Sequence, residues 1–360
     1  MHHFPGFRVV SGLGTWGVIL FFLLSGYLLA EYFWHPKPRR PLGPFYARRV
    51  ARIAPAYYVH VAVVFLLLAN PDRLWSRQGA VQVLHNLTFT QGFNPRTASS
   101  LNVSGALWTL SLEAALYAVL PVLALAIARR PVRVGTALLA LGIGYRVLVT
   151  TAAGGWLGEL WFGSASRVAE ASRRGFLRKQ FLGMLPLFVM GMLLRWYVVH
   201  RRTARYAAPR QPYSAGVQLL FLVPSLLFLA LPLQGKGYED PVQFVLYDLA
   251  LALLLLPALA YAGRTLATHA ETSTLSGVLS WLGRRSYGLY LWHYAVILVV
   301  YERGFRLRPA ELGHLPLRLA VVAAVTLALA SASYAYVERP ALRWARHRQD
   351  AGQASPERLR

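Results

Sequence analysis

Glu113 and His293 stand in stretches that are otherwise apolar, LWTLSLEAALYAVLP around the acid and SYGLYLWHYAVI around the imidazole. A neutral imidazole can take a proton from a hydroxyl, and a carboxylate can orient that imidazole or stabilise its charged form. Inside a membrane an ionisable side chain is costly unless paired or hydrated, so each one is a candidate for function. Tyr117 follows Glu113 one helical turn on. Tyr290 and Tyr287 precede His293 by one turn and two, which draws a polar stripe along one helix face. The His2/His3 pair, Asp248 with Tyr247, and His60 complete the set. For His60 and Asp248 the plainer role is favoured, a hydrogen bond that glues two helices. The tyrosine stripe reads equally as an interfacial belt. Arg49 and Arg52 are three apart at a helix start, where guanidinium forks can hold phosphates; the same residues would serve as an orientation signal or touch lipid headgroups.

The elements that must position these groups follow from composition. The 360 residues are 56% hydrophobic and only 14% charged, with a mean hydropathy of +0.41. An ordinary soluble domain has roughly a quarter charged residues. A water-soluble globule could not hide so much apolar surface. About 20 apolar residues make one helical crossing. That length predicts nine spans, over 14–33, 53–70, 107–128, 135–152, 182–199, 217–233, 242–262, 286–301 and 317–337. The blocks lack the alternation of barrel strands, so the fold class is all-α, a polytopic transmembrane helix bundle. One transmembrane domain is expected over 1–340, followed by a basic cytoplasmic tail, 341–360, expected to be disordered.

The formal charge of +24 comes from 38 Lys+Arg against 14 Asp+Glu. In this setting it points to arginines in the loops between spans, not to nucleic acid. Taking the 34–52 loop as cytoplasmic puts 22 Lys/Arg on that side and 13 on the other, with Arg146, Arg195 and Arg318 inside spans. Ser164–Gln180 opposes the bias with five positive charges outside, and is expected to lie on the surface as a helix. MHHFPGF reads as the far end of a helix, so a further span is expected upstream, and no cleavable signal peptide is visible. The chain has no cysteine, which excludes disulfides, Cys-ligated zinc and a thiol-linked acyl-enzyme. No Walker A loop, G-x-G-x-x-G, H-E-x-x-H, G-x-S-x-G or His-x4-Asp pattern is present, which argues against ATP-driven transport, metalloproteases and serine hydrolases. The abundance of Arg and Ala suggests a GC-rich bacterium, and the expected location is its plasma membrane, crossed many times.

Four ordered stretches and a closing one resemble the acyltransferase 3 family of membrane O-acyltransferases. Gly17-Val18-Ile19-Leu20-Phe21-Phe22-Leu23-Leu24-Ser25-Gly26-Tyr27-Leu28 is similar to that family's G-V-x-x-F-F-x-x-S-G-F-L helix. Arg48-Arg49-Val50-Ala51-Arg52-Ile53-Ala54-Pro55 resembles R-R-x-x-R-I-x-P. Leu107-Trp108-Thr109-Leu110-Ser111-Leu112-Glu113, with Tyr117 and Pro121, resembles W-S-L-x-x-E or W-S-L-x-E-x-x-x-Y-x-x-x-P. Ser286-Tyr287-Gly288-Leu289-Tyr290-Leu291-Trp292-His293 is similar to S-Y-x-x-Y-L-x-H, and Val337-Glu338-Arg339-Pro340 to the terminal E-R-P.

The resemblance implies ten spans, a cytoplasmic acyl-CoA donor, and transfer of the acyl group, expected to be acetyl, to a hydroxyl, commonly on a sugar. The family's first helix carries an Arg and then the His taken as catalytic. His3, followed by Phe4, matches that His best, with His2 its neighbour, and the Arg has no counterpart. The implied set is His3, Glu113 and His293 for catalysis and Arg49 and Arg52 for the CoA phosphates. Trp108, Ser111, Tyr117, Tyr287 and Tyr290 are assigned to substrate. Acyl-CoA is a co-substrate; no bound cofactor and no metal are expected. The partners are acyl-CoA, a carbohydrate or glycosylated acceptor and membrane lipids. The competing expectation is a transporter or flippase for a lipid-linked sugar.

Overall fold

A computed structural model of the chain describes residues 5–34, 41–98, 100–163, 168, 170–203, 245–253, 255–256, 274–300 and 315–354. Among them the structure is helical: α1 (Pro5–Trp34), α2 (Leu42–Leu68), α3 (Pro71–Leu74), α4 (Arg77–Leu87), α5 (Trp108–Arg129), α6 (Pro131–Thr150), α7 (Ala152–Phe162), α8 (Glu170–Arg178), α9 (Phe181–Thr203), α10 (245–253), α11 (Thr274–Leu298), α12 (Leu315–Ser333), a π-helical segment (Tyr334–Glu338) and α13 (Arg339–Ala354). Among the described residues six segments are long and apolar enough to cross a membrane: Gly17–Trp34, Leu42–Leu68, Trp108–Arg129, Pro131–Thr150, Phe181–Val199 and Pro316–Arg348. The chain is an all-helical polytopic membrane protein. Of the nine expected spans, 217–233 lies outside the described residues, and 242–262 is described only at 245–253 and 255–256. The 286–301 block overlaps α11 as far as Leu298, and its last residue lies outside the described residues; the first half of α11 adds Arg284 and Arg285 and so lowers its hydropathy. The surface helix expected within 164–180 forms as α8, amphipathic and tied by a Glu170–Arg174 ion pair one turn apart.

Of the expected tail, residues 341–354 are described. Residues 341–354 continue a helix that starts at Arg339 directly after the π segment. Ala, Arg, Gln and Leu are strong helix formers, and extending an existing helix avoids the cost of nucleation. Arg348 lies over the Trp344 ring at 4.4 Å, and Ala345 is buried.

The chain groups into two compact units: 1–7, 40–111 and 271–360 in one, 8–39 and 112–270 in the other. In the first unit α2 buries Phe45, Ala56, Tyr57, Val61, Val64 and Phe65, and the steps from Tyr57 to Val61 and from Val61 to Val64 and Phe65 are the three and four residues that one helical face requires. Tyr287, Leu291, Trp292, Ala295 and Leu298 of α11 pack into the same core. Gly288 lets α11 meet α12 closely: a methyl added there would stand 3.0 Å from the Ala330 Cα. Small residues at such crossings are how helices associate in lipid, where hydrophobicity gives no preference for a neighbouring helix over a lipid tail.

The second unit is built on a tighter crossing of α1 and α9. A methyl at Gly26 would lie 2.1 Å from the Phe188 carbonyl oxygen, and one at Gly191 would lie 2.1 Å from that of Leu23. Nearby, Arg195 pairs with Glu31 at 2.5 Å and the Trp34 indole donates to the Ala124 carbonyl at 3.0 Å. Gly26→Ala and Gly191→Ala are therefore each expected to lower stability by about 1–3 kcal/mol through overpacking. Thermal unfolding in detergent measures this, and a Gly26→Ala protein as stable as its parent would show that the helices do not cross at glycine.

Candidate active site

Between α4 and α5 the chain makes no long helix, yet several polar side chains within this segment and at the helix ends that flank it are buried. Asn86, Gln91, Ser100, Ser104, Thr109 and Ser111 have no solvent exposure. The hydrogen bonds explain how this is tolerated. The Gln91 amide donates to the Leu107 carbonyl at 2.8 Å, the Thr97 hydroxyl to the Gln91 carbonyl at 3.0 Å, and the Ser100 hydroxyl to the Asn86 side-chain oxygen at 3.1 Å. Tyr57 of α2 donates to the Asn86 carbonyl at 2.9 Å. Ser100 and Leu101 take left-handed backbone angles, φ 46° and 58°, without being glycine. Such strain persists only where surrounding structure enforces it, and it concentrates at functional sites. Irregular backbone at membrane depth survives only when protein covers it or it lines a polar cavity.

The tyrosine stripe of α11 is spent on this scaffold. The Tyr287 hydroxyl donates to the Ile53 carbonyl of α2 at 3.0 Å. The Tyr290 hydroxyl donates to the Ala106 carbonyl at 2.5 Å and touches the Thr109 hydroxyl. Ser111 accepts from the Gly92 backbone N–H at 2.9 Å, and a methyl on Gly92 would meet the Trp108 carbonyl oxygen, so Trp108 and Ser111 hold the loop against the start of α5. His293 continues the stripe and is half-buried. Its Nδ1 lies 2.5 Å from the Tyr290 carbonyl oxygen, which can only accept, so Nδ1 carries the proton and Nε2 keeps the lone pair.

Arg49 and Arg52 lie on α2, which begins before them, and both are half-buried. The Arg49 guanidinium stands over the Phe45 ring at 5.8 Å. Arg52 is within electrostatic reach of Glu338, the buried acid of the closing motif, whose Oε1 accepts from the Ser333 hydroxyl at 3.4 Å. Two guanidiniums on neighbouring turns, one steadied by a ring and one by a carboxylate, suit a phosphate-bearing ligand.

Glu113 is buried on α5, and the Tyr117 hydroxyl donates to its carboxylate across one turn. It belongs to the second unit, whereas His293, Arg49, Arg52 and the tyrosines of α11 belong to the first. His3 and His2 lie outside the described residues. Among the described residues no group of three or more His, Cys, Asp or Glu side chains could hold a metal. Sequence reasoning passed over Ser104, Gln91 and Trp292. No motif marks NPRTASSLNVS (94–104), and the burial of Thr97, Ser100 and Ser104 within it is what distinguishes it.

The acyltransferase-domain family profile matches residues 1–336. Acyltransferase MdmB of Streptomyces mycarofaciens is 28% identical over 329 residues, which cover 85% of this chain and 73% of that protein. The peptidoglycan O-acetyltransferase OatA of Listeria monocytogenes is 23% identical over 309 residues, 79% of this chain and 45% of OatA. The putative peptidoglycan O-acetyltransferase YrhL of Bacillus subtilis is 26% identical over 357 residues, 91% of this chain and 50% of YrhL. The chain thus spans about half the length of the two peptidoglycan relatives. No solved structure matches it.

Proposed function

This chain belongs to the acyltransferase 3 family, and from that premise we propose that it moves an acetyl group from acetyl-CoA to a hydroxyl of a carbohydrate. The observation that carries the reading is the family match along residues 1–336, which includes every motif that bears a charged or titratable group except the Glu338-Arg339-Pro340 end. The names of OatA and YrhL favour a glycan acceptor.

In the reaction an imidazole takes the acceptor's proton as its oxygen attacks the thioester carbonyl, worth about 10²–10⁴-fold. The family pattern gives this role to His3, with Glu113 orienting the ring or stabilising its charged form. His293, with its lone pair on Nε2, holds the acceptor hydroxyl as a hydrogen-bond acceptor. Arg49 and Arg52 hold CoA phosphates. The thioester already activates the acyl group, so these residues need only bind, orient and move protons.

Purified protein incubated with acetyl-labelled acetyl-CoA and candidate glycans tests the reading. Alkali-labile label on the glycan, matched by free CoA thiol, is the expected result. Glycan movement across a vesicle with no thiol released would replace the reading with a carrier. Arg52→Ala and Arg49→Ala are each expected to raise KM for acetyl-CoA about tenfold or more, the worth of a charged hydrogen bond, and to leave acceptor KM unchanged. With acetyl-dephospho-CoA one of the two effects should shrink, because the substitution and the missing phosphate then remove the same contact. Unchanged KM in both variants would mean that these arginines serve only to orient the protein.

A further inference from the structure

His60 and Trp292 have no part in the chemistry above. His60 has no solvent exposure, and its Nε2 lies 3.0 Å from the Ser104 hydroxyl. Its Nδ1 is buried without a hydrogen-bond partner, and so is the Trp292 indole Nε1. The two rings meet edge to face, with centroids 4.7 Å apart. Buried polar groups nearly always find partners, so two orphan nitrogens on touching rings call for a cause.

Proton accounting shows what the pair offers. If His60 Nε2–H donated to Ser104, the serine's own proton would have no acceptor among the described residues, and Nδ1 would be left a bare lone pair. If Ser104 donates to Nε2, only the Nδ1–H remains unsatisfied. The second arrangement leaves fewer buried groups unmatched and is the one adopted. His60 then presents an N–H, and an indole nitrogen can only donate. Two donors on touching rings are thus left without an acceptor, and one oxygen reaching both would satisfy them.

The same unit has a task for them. Acyl transfer puts negative charge on the thioester oxygen. Tyr290 has given its proton to the Ala106 carbonyl, and neutral His293 offers a lone pair at Nε2. Neither donates to that oxygen. His293 is next in sequence to Trp292 and within electrostatic reach of His60.

We propose that His60 Nδ1–H and Trp292 Nε1–H together receive the thioester carbonyl oxygen of acyl-CoA and the oxyanion formed from it, with Ser104 fixing the His60 tautomer as a positioning residue. This rests on the acyl-transfer reading. The acceptor hydroxyl gives its proton to the general-base imidazole, and its oxygen bonds to the carbonyl carbon. The C=O π pair moves onto the oxygen held by the two donors. When the C=O re-forms, the C–S bond breaks and the CoA sulfur leaves with the proton from the imidazolium.

Trp292→Phe keeps a ring and removes the N–H. It is expected to lower kcat about 10²–10³-fold, the worth of one oxyanion donor, with KM for acetyl-CoA within about threefold. A direct reading uses the ketone analogue of acetyl-CoA, in which a methylene replaces sulfur, with a carbon-13 carbonyl. Bound to the parent protein, its C=O stretch should move to lower frequency, and in Trp292→Phe this shift should shrink. A bound analogue whose stretch matches that in buffer, or an undiminished shift in Trp292→Phe, overturns the donor pair and leaves acyl transfer standing. A parent protein that neither binds the analogue nor transfers acetyl overturns both.

Discussion

Replacing Asp248 by asparagine is expected to lower stability by about 3–5 kcal/mol, the usual cost of stranding a buried charge. Arg146 is the largest fully buried side chain described in the second unit, near the C-terminal end of α6. Its Nε donates to the Gly183 carbonyl at 2.8 Å and its Nη1 to the Val245 carbonyl at 3.2 Å, so one side chain ties α6, α9 and α10 together. Asp248 is its one ion-pair partner among the described residues, at 3.3 Å, and also lies 3.6 Å from Arg178. Asparagine keeps the shape and loses the charge, so Arg146 stays buried and uncompensated. Removing both charges in Arg146→Met/Asp248→Leu should recover part of the loss, because the packed apolar pair has nothing to desolvate while buried Arg178 still loses Asp248. The absence of native cysteine gives a clean assay. A cysteine placed at the buried Val149, beside this cluster, reacts with a thiol dye only on unfolding. An Asp248→Asn protein within about 1 kcal/mol of its parent would show that the cluster is hydrated and not a buried staple.

Much of the architecture was legible because lipid leaves few choices. An apolar run of spanning length must become a helix, and the blocks at 107–128, 135–152, 182–199 and 317–337 overlie α5, α6, α9 and α12. The start of α2 was not legible. Arg48, Arg49 and Arg52 looked like the end of a loop, yet the helix begins at Leu42 because Phe45 is buried one turn before Arg49. Asp248 was read as glue between helices, and its pairing with Arg146 fits that role; the arginine's part needed distances. His60 was given the same plain role. Its meeting with Trp292 joins residues far apart in the chain, and no local period encodes such a contact. The tyrosines of α11 were visible as a stripe, but their acceptors are backbone carbonyls of distant segments, and a carbonyl has no signature in a sequence.

Glu113→Gln is expected to lower kcat about 10²-fold or more while KM for acetyl-CoA stays within about threefold, the mark of an interaction made only in the transition state. The substitution is well suited to the site. Tyr117 donates to the Glu113 carboxylate, and a glutamine carbonyl can accept the same hydrogen bond, so packing on α5 is kept and only charge is lost. The rate loss therefore reports what the negative charge does for an imidazole on the way to imidazolium, not what the side chain does for the fold. Two companions separate the possibilities. Tyr117→Phe leaves the carboxylate in place with one donor fewer, and about tenfold is expected, near the worth of one hydrogen bond. Glu113→Asp restores the charge on a shorter arm and should recover part of the lost turnover. Glu113→Gln turnover within about threefold of the parent, in protein that unfolds at the parent temperature, would reduce the acid to a structural partner of Tyr117 and remove it from the proposed mechanism.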